Sequence, residues 1–152
     1  MSKFLDHARF AGIVEHAPLV SLDLVVKDHA GNALLGQRLN RPAQGCWFVP
    51  GGRVRKDERL PDAFLRLTRE ELGVGLPLQT ATFLGPYEHH YPDNFSGTGF
   101  STHYVVLAYA LTLELDLAAL PAAQHDAYRW WALPDLRASA QVHEHTKWYF
   151  PA

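Results

Sequence analysis

A short segment in the middle of the chain carries residues whose types and spacing suit metal and phosphate chemistry. Arg66 and Glu70 stand four positions apart, so they share one face if the segment is helical. Glu71 follows directly, and neighbouring carboxylates offer the hard oxygen ligands that Mg2+ prefers. The Gly51-Gly52 pair lets the backbone come close to a bound group, where a carbonyl oxygen can complete a metal site.

The overall composition narrows the class of protein and of partner. The chain has 152 residues, 47% of them hydrophobic and 20% charged, which predicts one globular domain over 1–152. Lys and Arg total 14 against 16 Asp and Glu, so we expect no nucleic acid as partner, because phosphate-rich polymers select basic surfaces. A single cysteine, Cys46, excludes an intrachain disulfide and a thiolate metal cage. Neither a signal-like apolar run nor a stretch of about 20 apolar residues is present, so we expect a cytoplasmic protein without a membrane.

The hydrophobic pattern predicts the elements that must position the central segment. Helix signals cover 61–73, where Pro61 suits the first turn and Gly73 suits the C-terminal cap. Alternation over 20–27 predicts a strand, and turn residues after it predict a hairpin. The other predicted elements are a helix over 4–17, strands over 33–39, 47–49, 80–91, 101–113 and 128–132, and one or two short helices within 134–150. Strands on both sides of a central helix indicate an α/β fold with a mixed β-sheet sandwiched between helices.

The segment 52–74 resembles the signature of the Nudix hydrolase family, the Nudix box Gly-x5-Glu-x7-Arg-Glu-U-x-Glu-Glu-x-Gly-U, in which U is aliphatic. The matching positions are Gly52, Glu58, Arg66, Glu70, Glu71, Gly73 and Val74. Two positions depart from the box, because Leu67 stands where the family has glutamate and Thr68 stands where it has an aliphatic residue. In many members that glutamate binds metal or acts as the base in attack on phosphorus. Leucine can do neither, so the resemblance implies a Nudix fold with altered chemistry.

A wider resemblance implies what this altered chemistry is. Four stretches are similar to the GDP-mannose mannosyl hydrolases, a Nudix subfamily whose box lacks the same glutamate: 18–26 (PLVSLDLVV), 34–54 (LLGQRLNRPAQGCWFVPGGRV), 93–107 (DNFSGTGFSTHYVVL) and 124–131 (QHDAYRWW). Those enzymes convert GDP-mannose, and also GDP-glucose, to GDP and free sugar by attack of water on the anomeric carbon with inversion. The resemblance implies a GDP-sugar substrate, one Mg2+ per subunit that Mn2+ can replace, and a homodimer.

The resemblance also implies a role for each matching residue. The metal ligands are Glu71, the Gly51 carbonyl and Gln124. His125 is the general base, a role that suits imidazole because its ordinary pKa lies near neutrality. Asp23 is the carboxylate that steadies positive charge on the departing sugar. The residues that contact the diphosphate or lie near the leaving group are Arg38, Arg53, Arg66, Tyr104 and His89. The residues that meet the guanine are Phe4, Leu5 and Phe10.

Some of these residues also have a simpler structural interpretation. Arg66 and the two carboxylates after it can form only a solvated helix face, Asp23 can point to solvent, and Phe4 and Phe10 can be helix core. We expect the tryptophans of the strands to be sheet packing, namely Trp47, Trp130 and Trp131. We expect five histidines to be solvated, namely His7, His16, His29, His143 and His145. A metal role for Glu70 stays open.

Two other functions stay open at the level of the sequence. One is an ordinary Nudix pyrophosphohydrolase that cleaves a nucleoside diphosphate sugar at phosphorus. The other is a catalytically silent nucleotide-binding module.

Overall fold

A computed structural model describes residues 5–121 and 125–152, and every side chain in these ranges except those of His125 and Asp126. The helices are α1 (His7–His16), α2 (Leu60–Leu72), α3 (Leu133–Ala138) and α4 (Glu144–Lys147). The strands are β1 (Leu19–Lys27), β2 (Ala33–Arg38), β3 (Trp47–Phe48), β4 (Gly51–Arg53), β5 (Thr82–Tyr91), β6 (Thr102–Thr112) and β7 (His125–Trp131). Two single 3-10 turns lie at Leu78–Thr80 and Leu117–Ala119.

The strands form one mixed sheet around β1. Its main path runs β3-β2-β1-β6-β5, while β4 pairs with β1 and β7 pairs with β2. The β1 and β6 strands are parallel along the whole of Leu19–Lys27, and the other ladders are antiparallel. The predicted α/β class with a mixed sheet and flanking helices is confirmed. Among the described residues, no helix is both long and apolar enough to cross a membrane.

The two faces of the sheet carry separate hydrophobic cores. On one face, α2 packs through Phe64 and Leu67 against β1 and β2. On the other face, α3 and the C-terminal segment pack Leu136 and Phe150 against the same strands. Because β1 lies in the middle and is covered on both sides, residues of both alternation sets are buried along most of it.

The burial of β1 changes the environment expected for Asp23. Ser21 and Val25 share its face and are 6% and 3% exposed. The solvent-facing alternative for Asp23 is therefore wrong, because this face packs against the C-terminal segment. Conversely Val20, which shares its face with the buried Leu22, is 43% exposed.

Helix α2 has the predicted position and ends. Pro61 lies in its first turn, and Gly73 caps its C-terminus with φ 75°, donating its backbone N–H to the Arg69 carbonyl. A left-handed backbone at this position favours glycine, so the cap explains Gly73. Its buried face includes Leu67 and Glu71.

Three elements differ from the sequence prediction. The β1–β2 hairpin pairs at Lys27 and Ala33, and further along β1 pairs with β4, a three-residue strand that the pattern did not predict. Strand β7 begins at His125 instead of at residue 128. Helix α1 begins at His7, where the Asp6 side chain caps it by accepting from the Arg9 backbone N–H.

Candidate active site

A cavity of about 340 Å3 opens beside the sheet where β1, β2, β4, β5 and β6 approach one another. Seven residues predicted from the sequence line it: Phe10, Asp23, Arg38, Gly51, Arg53, His89 and Tyr104. They come from α1 and five different strands, so only the folded sheet brings them together. The cavity is further lined by two aromatic residues with no predicted role, Phe48 and Tyr91.

The β1–β4 ladder forms the centre of this cavity. Asp23 lies opposite Gly51 in register. A Cβ on Gly51 would collide with the Leu22 carbonyl oxygen and lie 2.7 Å from Asp23 Oδ1, so a side chain cannot be accommodated there. Glycine at position 51 therefore allows the backbone of β4 to approach the Asp23 carboxylate directly.

Asp23 is held by a residue from the far end of the chain. The Tyr149 hydroxyl donates to Asp23 Oδ2 at 2.6 Å. Burial raises the pKa of Asp23 to about 6, although the hydrogen bond from Tyr149 and the positive charge of Arg38 both act in the opposite direction. The carboxyl group thus has a pKa close to neutrality in the middle of the cavity.

Two arginines bring positive charge to the cavity wall. The Arg38 guanidinium lies 4.5 Å from the centre of the Phe48 ring and donates from Nη1 to the Pro42 carbonyl at 2.9 Å. The Arg53 guanidinium lies 5.0 Å from the centre of the Phe10 ring. Burial raises the pKa of Tyr104, and the charges of Arg38 and Arg53 both lower it, so this phenol lies within the field of both cations. Two cations and a phenol around one cavity suit an anionic ligand.

His89 lines the cavity beside aromatic residues, and two further histidines, His143 and His145, contact this wall. His89 is 4% exposed, and burial lowers its pKa to about 3, with the nearby His145, His143 and Arg38 acting in the same direction. The rings of His89 and His145 stack at 4.3 Å, and His143 stacks on Phe48 at 4.7 Å. These imidazoles are neutral at pH 7, so His89 contributes hydrogen bonding to the wall without contributing charge.

The expectation that His143 and His145 are solvated is wrong. His145 is 7% exposed, and burial lowers its pKa to about 4. The reason is long-range, because the Trp47 backbone N–H donates to Gln141 and its carbonyl accepts from His143, which draws the C-terminal segment onto β3. Trp47 and Trp131 do pack in the core as expected, with their rings 5.5 Å apart.

The charged residues of the box segment form an ion-pair network beside the cavity. Arg66 donates from Nε and Nη2 to the two carboxylate oxygens of Glu58, at 2.7 and 2.8 Å, and from Nη1 to Glu70 at 3.0 Å. Its Nη2 also donates to the Arg53 carbonyl at 2.9 Å. Arg66 is not one of the residues that line the cavity described above. It fastens the loop after β4 to α2.

Glu71 has a different environment from its neighbour Glu70. Glu71 is 2% exposed, and burial followed by the negative charge of Glu70 raises its pKa to about 7, while Arg38 lowers it. The side chain of Glu70 is 44% exposed and contacts Arg66 and Arg55. Within residues 5–121 and 125–152, three or more His, Cys, Asp or Glu side chains do not cluster as metal ligands.

The structure describes only some of the remaining predicted site residues. Phe4 and Gln124 lie outside the described residues. The backbone of His125 pairs with that of the cavity residue Arg38 in the β2–β7 ladder, and its side chain lies outside the description. Leu5 is 43% exposed and lines a separate depression with Arg53.

Phe10 belongs to an aromatic group at the rim of the cavity. It is half-buried, and its ring lies 4.8 Å from the ring of Phe95, which in turn lies 5.1 Å from His7. The interpretation of Phe10 as helix core is wrong, since Phe10 is half-buried and its ring contacts Phe95 and Arg53 at the rim. Sequence reasoning missed Phe95 and Tyr149, because each takes its place through contacts with distant segments.

Comparison with known proteins gives a consistent family. A family model for the NUDIX domain matches residues 18–151. The low-salt glycan biosynthesis protein Agl8 of Haloferax volcanii is 47% identical over 104 residues, which are 68% of this chain and 65% of that protein. The chain thus spans slightly less than two thirds of the length of this relative.

Solved structures show the same fold. A MutT NUDIX hydrolase from Burkholderia pseudomallei superposes with a TM-score of 0.69 and 28% identity over 89% of this chain and 97% of that one. The NUDIX domain of Shewanella oneidensis NrtR, complexed with ADP ribose, superposes with a TM-score of 0.65 and 22% identity over 95% of this chain and 94% of that one. The second likeness supports the fold alone.

Proposed function

The chain belongs to the NUDIX family, and from that premise we propose that it hydrolyses GDP-mannose and GDP-glucose to GDP and the free sugar. Water attacks the anomeric carbon with inversion, the bond from that carbon to the diphosphate oxygen breaks, and GDP leaves. The observation that carries the proposal is Leu67, which occupies the box position of a catalytic glutamate and is 1% exposed in the core. The name of the Haloferax relative, which concerns glycan biosynthesis, supports a sugar-bearing substrate.

The surroundings of Leu67 argue against attack on phosphorus. Its side chain packs in the core formed by α2, β1 and β2, and a Cβ on Gly52 would lie only 2.5 Å from its Cδ2. An apolar side chain in this position can neither bind a metal nor accept a proton from water. A hydrolase of this family with such a box needs its base elsewhere, and the altered base suits an altered point of attack.

Asp23 supplies the negative charge that attack at carbon requires. A departing sugar develops oxocarbenium character, and a fixed carboxylate beside it stabilises that positive charge more in the transition state than in the substrate. Asp23 lines the cavity and has a pKa of about 6, so its ionised form prevails above neutrality. The neighbouring glycine backbone leaves its carboxylate accessible from β4.

The leaving group needs positive charge in the same cavity. Arg38 and Arg53 line this cavity together with Tyr104, whose hydroxyl can donate a hydrogen bond. In this proposal these three residues bind the diphosphate and stabilise the charge that grows on it. Arg66 acts indirectly, because its donors are already directed to Glu58, Glu70 and the Arg53 carbonyl.

The residues of the box fit a Mg2+ ion in chemistry. Glu71 is a buried carboxylate whose pKa is raised to about 7, and such a group gains from a nearby cation. Gly51 adds a backbone carbonyl on a strand that admits no side chain at this point. We propose Glu71, the Gly51 carbonyl and Gln124 as the ligands, and exclude Glu70 because Arg66 and Arg55 hold its carboxylate. When bound, Mg2+, or Mn2+ in its place, offsets charge on the diphosphate leaving group.

His125 is the proposed general base. Its backbone pairs with that of Arg38, so β7 begins directly beside the diphosphate-binding wall. An imidazole accepts a proton from water near neutral pH, which an inverting attack by one water requires.

The rim aromatics are the proposed site for the guanine. Phe10 packs on Phe95, and its ring carries the Arg53 guanidinium on one side. A planar base stacks well on such rings. We propose that Phe4 and Leu5 complete this subsite in a homodimer, where the 43% exposed Leu5 becomes covered.

The products formed in 18O-labelled water test the proposal. The protein is incubated with GDP-mannose and Mg2+, and the products are identified by mass spectrometry. We expect GDP and mannose, with the label in the sugar. GMP and mannose 1-phosphate would instead establish the ordinary pyrophosphohydrolase reaction, and nucleotide binding without turnover would establish a silent binding module.

The variant His125→Gln tests the assignment of the base. We expect kcat to fall by about 100-fold or more, because the loss of general base catalysis typically costs this much. Mg2+ affinity, measured by calorimetry, should stay unchanged. The control is His29→Gln, which alters an exposed turn histidine. A His125→Gln protein with the wild-type kcat would remove His125 from the reaction.

A further inference from the structure

We propose that Tyr149 is a positioning residue that holds the Asp23 carboxylate in the orientation needed by the departing sugar. This inference rests on the proposed function and deepens it, because it concerns how the cavity presents its negative charge. Tyr149 lies 126 positions after Asp23, near the C-terminal end of the chain. Tyr149 is not among the residues that line the cavity, but its partner Asp23 is. Its effect on turnover is therefore transmitted through Asp23.

The hydrogen bonds around Tyr149 have one consistent direction. Its hydroxyl lies 2.6 Å from Asp23 Oδ2 and 3.3 Å from His89 Nε2. An ionised carboxylate only accepts, so the phenol proton is directed to Asp23. A neutral His89 protonated on Nε2 then donates to the phenol oxygen. In this series of hydrogen bonds His89 donates to Tyr149 and Tyr149 donates to the Asp23 carboxylate.

Tyr149 is itself fixed by packing. It is 8% exposed, and its ring meets the Tyr87 ring edge-on at 4.7 Å. Arg137 donates from Nε to the Phe150 carbonyl at 2.7 Å and from Nη2 to the Pro151 carbonyl at 3.0 Å. These contacts anchor the backbone immediately after Tyr149 to α3, so the phenol has little freedom to move.

His89 is fixed in the same way. Its ring stacks on His145 at 4.3 Å and lies edge-on to Trp148 at 5.7 Å. Both of these partners belong to the C-terminal segment that carries Tyr149. The C-terminal segment thus supplies one donor, Tyr149, and packs against the other donor, His89. The acceptor, Asp23, belongs to β1.

A fixed carboxylate differs from a free one in what it offers to the substrate. The backbone of Asp23 is set by its ladders with β4 and β6, but these leave the rotation of its carboxyl plane undetermined. Tyr149 occupies Oδ2, and Oδ1 lies on the side of Gly51. Gly51 lines the cavity, so in this proposal Oδ1 is the oxygen offered to the substrate. Its orientation is fixed before substrate binds, which is the condition for electrostatic stabilisation without reorganisation.

Kinetics of Tyr149→Phe test this role. We expect kcat for sugar release to fall by about 10- to 100-fold, as for loss of a hydrogen bond to a charged group. KM and the Kd for GDP should stay within about twofold, because the diphosphate and guanine contacts are untouched. The matched control is Tyr87→Phe, which removes a neighbouring phenol hydroxyl with no contact to Asp23 and should keep the wild-type kcat.

A double-mutant cycle separates positioning from a structural role. In the Asp23→Asn background, Tyr149→Phe should cause no further loss of kcat, because its effect passes through the ionised carboxylate. An equal loss in both backgrounds, or a wild-type kcat for Tyr149→Phe, would overturn the proposal. If Tyr149→Phe fails to fold, Arg137→Ala releases the carbonyls of Phe150 and Pro151 that fix Tyr149, and it should lower kcat with the same non-additivity towards Asp23→Asn.

Crystal structures keep this inference distinguishable from the proposed function. If wild-type protein releases no free sugar from GDP-mannose, the proposed function fails, and the orientation of Asp23 still tests the Tyr149 contact. We expect one Asp23 rotamer in the wild type and in Tyr87→Phe, and a rotated or multiple rotamer in Tyr149→Phe. An unchanged Asp23 rotamer in Tyr149→Phe would overturn the positioning role whatever the substrate.

Discussion

The carboxylates of the box network and the buried carboxylates Asp23 and Glu71 have opposite electrostatic surroundings. In the box network, Glu58 is held by the Arg66 fork, which keeps the pKa of Glu58 below its usual value. In contrast, burial raises the pKa of Asp23 in the cavity to about 6 and that of Glu71 on the buried face of α2 to about 7. The protein itself therefore stabilises the ionised form of Glu58. Burial disfavours the ionised forms of Asp23 and Glu71 when no ligand is bound.

This difference separates structural charge from functional charge. The arginine-held carboxylates fasten the loop after β4 to α2 and need no ligand. The buried carboxylates gain free energy when a cation or a developing positive charge comes near, and this gain is available for binding and catalysis. The sequence alone presents all of these acidic residues as one charged segment and one strand residue.

The two adjacent glycines of β4 should respond unequally to a methyl group. Gly51→Ala places Cβ against the Leu22 carbonyl and 2.7 Å from Asp23 Oδ1, where rigid backbone must move. We expect a loss of about 3 kcal/mol in the free energy of unfolding, at the upper end for overpacking. Gly52→Ala meets the end of the Leu67 side chain, which can rotate, so we expect about 1 kcal/mol. Urea unfolding measures both, and equal losses would contradict the asymmetry.

Mg2+ should stabilise the protein through Glu71, which is buried, and not through Glu70, which Arg66 and Arg55 hold. At a metal concentration of about 100 times Kd, we expect about 2.7 kcal/mol of added stability in the wild type. Glu71→Gln should abolish this gain, whereas Glu70→Gln should keep it, because Glu70 is held by arginines. Thermal unfolding with Mg2+ and with a chelator gives the comparison. Loss of the Mg2+ response in Glu70→Gln would transfer the metal role to that residue.

Removal of the Arg66 guanidinium, which pairs with both carboxylate oxygens of Glu58, should lower the free energy of unfolding. Arg66→Ala leaves the partly buried Glu58 without its bidentate partner, and we expect a loss of about 2 kcal/mol after allowance for solvent screening. Lys56→Ala is the control, because Lys56 pairs with Asp57 at an exposed site and its loss should not change Tm. Equal stability of the two variants would show that the fork is not structural.

The pH dependence of protein stability should be sensitive to the buried His89 of the cavity wall and not to its exposed neighbour His90. The pKa of His89 is about 3 in the folded protein against an ordinary 6.5, so below 6.5 the unfolded chain binds a proton that the folded chain does not. Stability is therefore lost as the pH falls from 6.5 towards 3. His89→Gln should lessen the loss between pH 7 and pH 5 by about 2 kcal/mol. His90→Gln, at the exposed neighbouring position, should leave it unchanged, and a steeper loss in His89→Gln would reverse the assigned direction.

Local patterns were sufficient for the elements with their own sequence signals. Helix α2 and its Gly73 cap, strand β1, and the strands β5 and β6 follow from periodicity and turn residues within each segment. The spacing of the box residues and the exchange for Leu67 are likewise visible without coordinates. The prediction of a single domain over 1–152 stays a prediction.

Long-range pairing produced the features that local patterns missed. Strand β4 has three residues, two of them glycines, and exists because β1 offers it an edge. His145 carries no mark of burial in its own segment, and its low exposure comes from the docking of that segment onto β3. Tyr149 reaches Asp23 across 126 positions of sequence.

The sequence by itself determined the family signature, the identity of the charged groups and the loss of the box glutamate, because these depend on residue type and on spacing within one short segment. The tertiary structure decided which of those charges are paired and which are buried, because burial and pairing depend on segments far apart in the chain. Asp23 illustrates the division. Its strand and face follow from alternation over 20–27, but its hydrogen bond from Tyr149 and its pKa of about 6 exist only once the C-terminal segment covers the sheet.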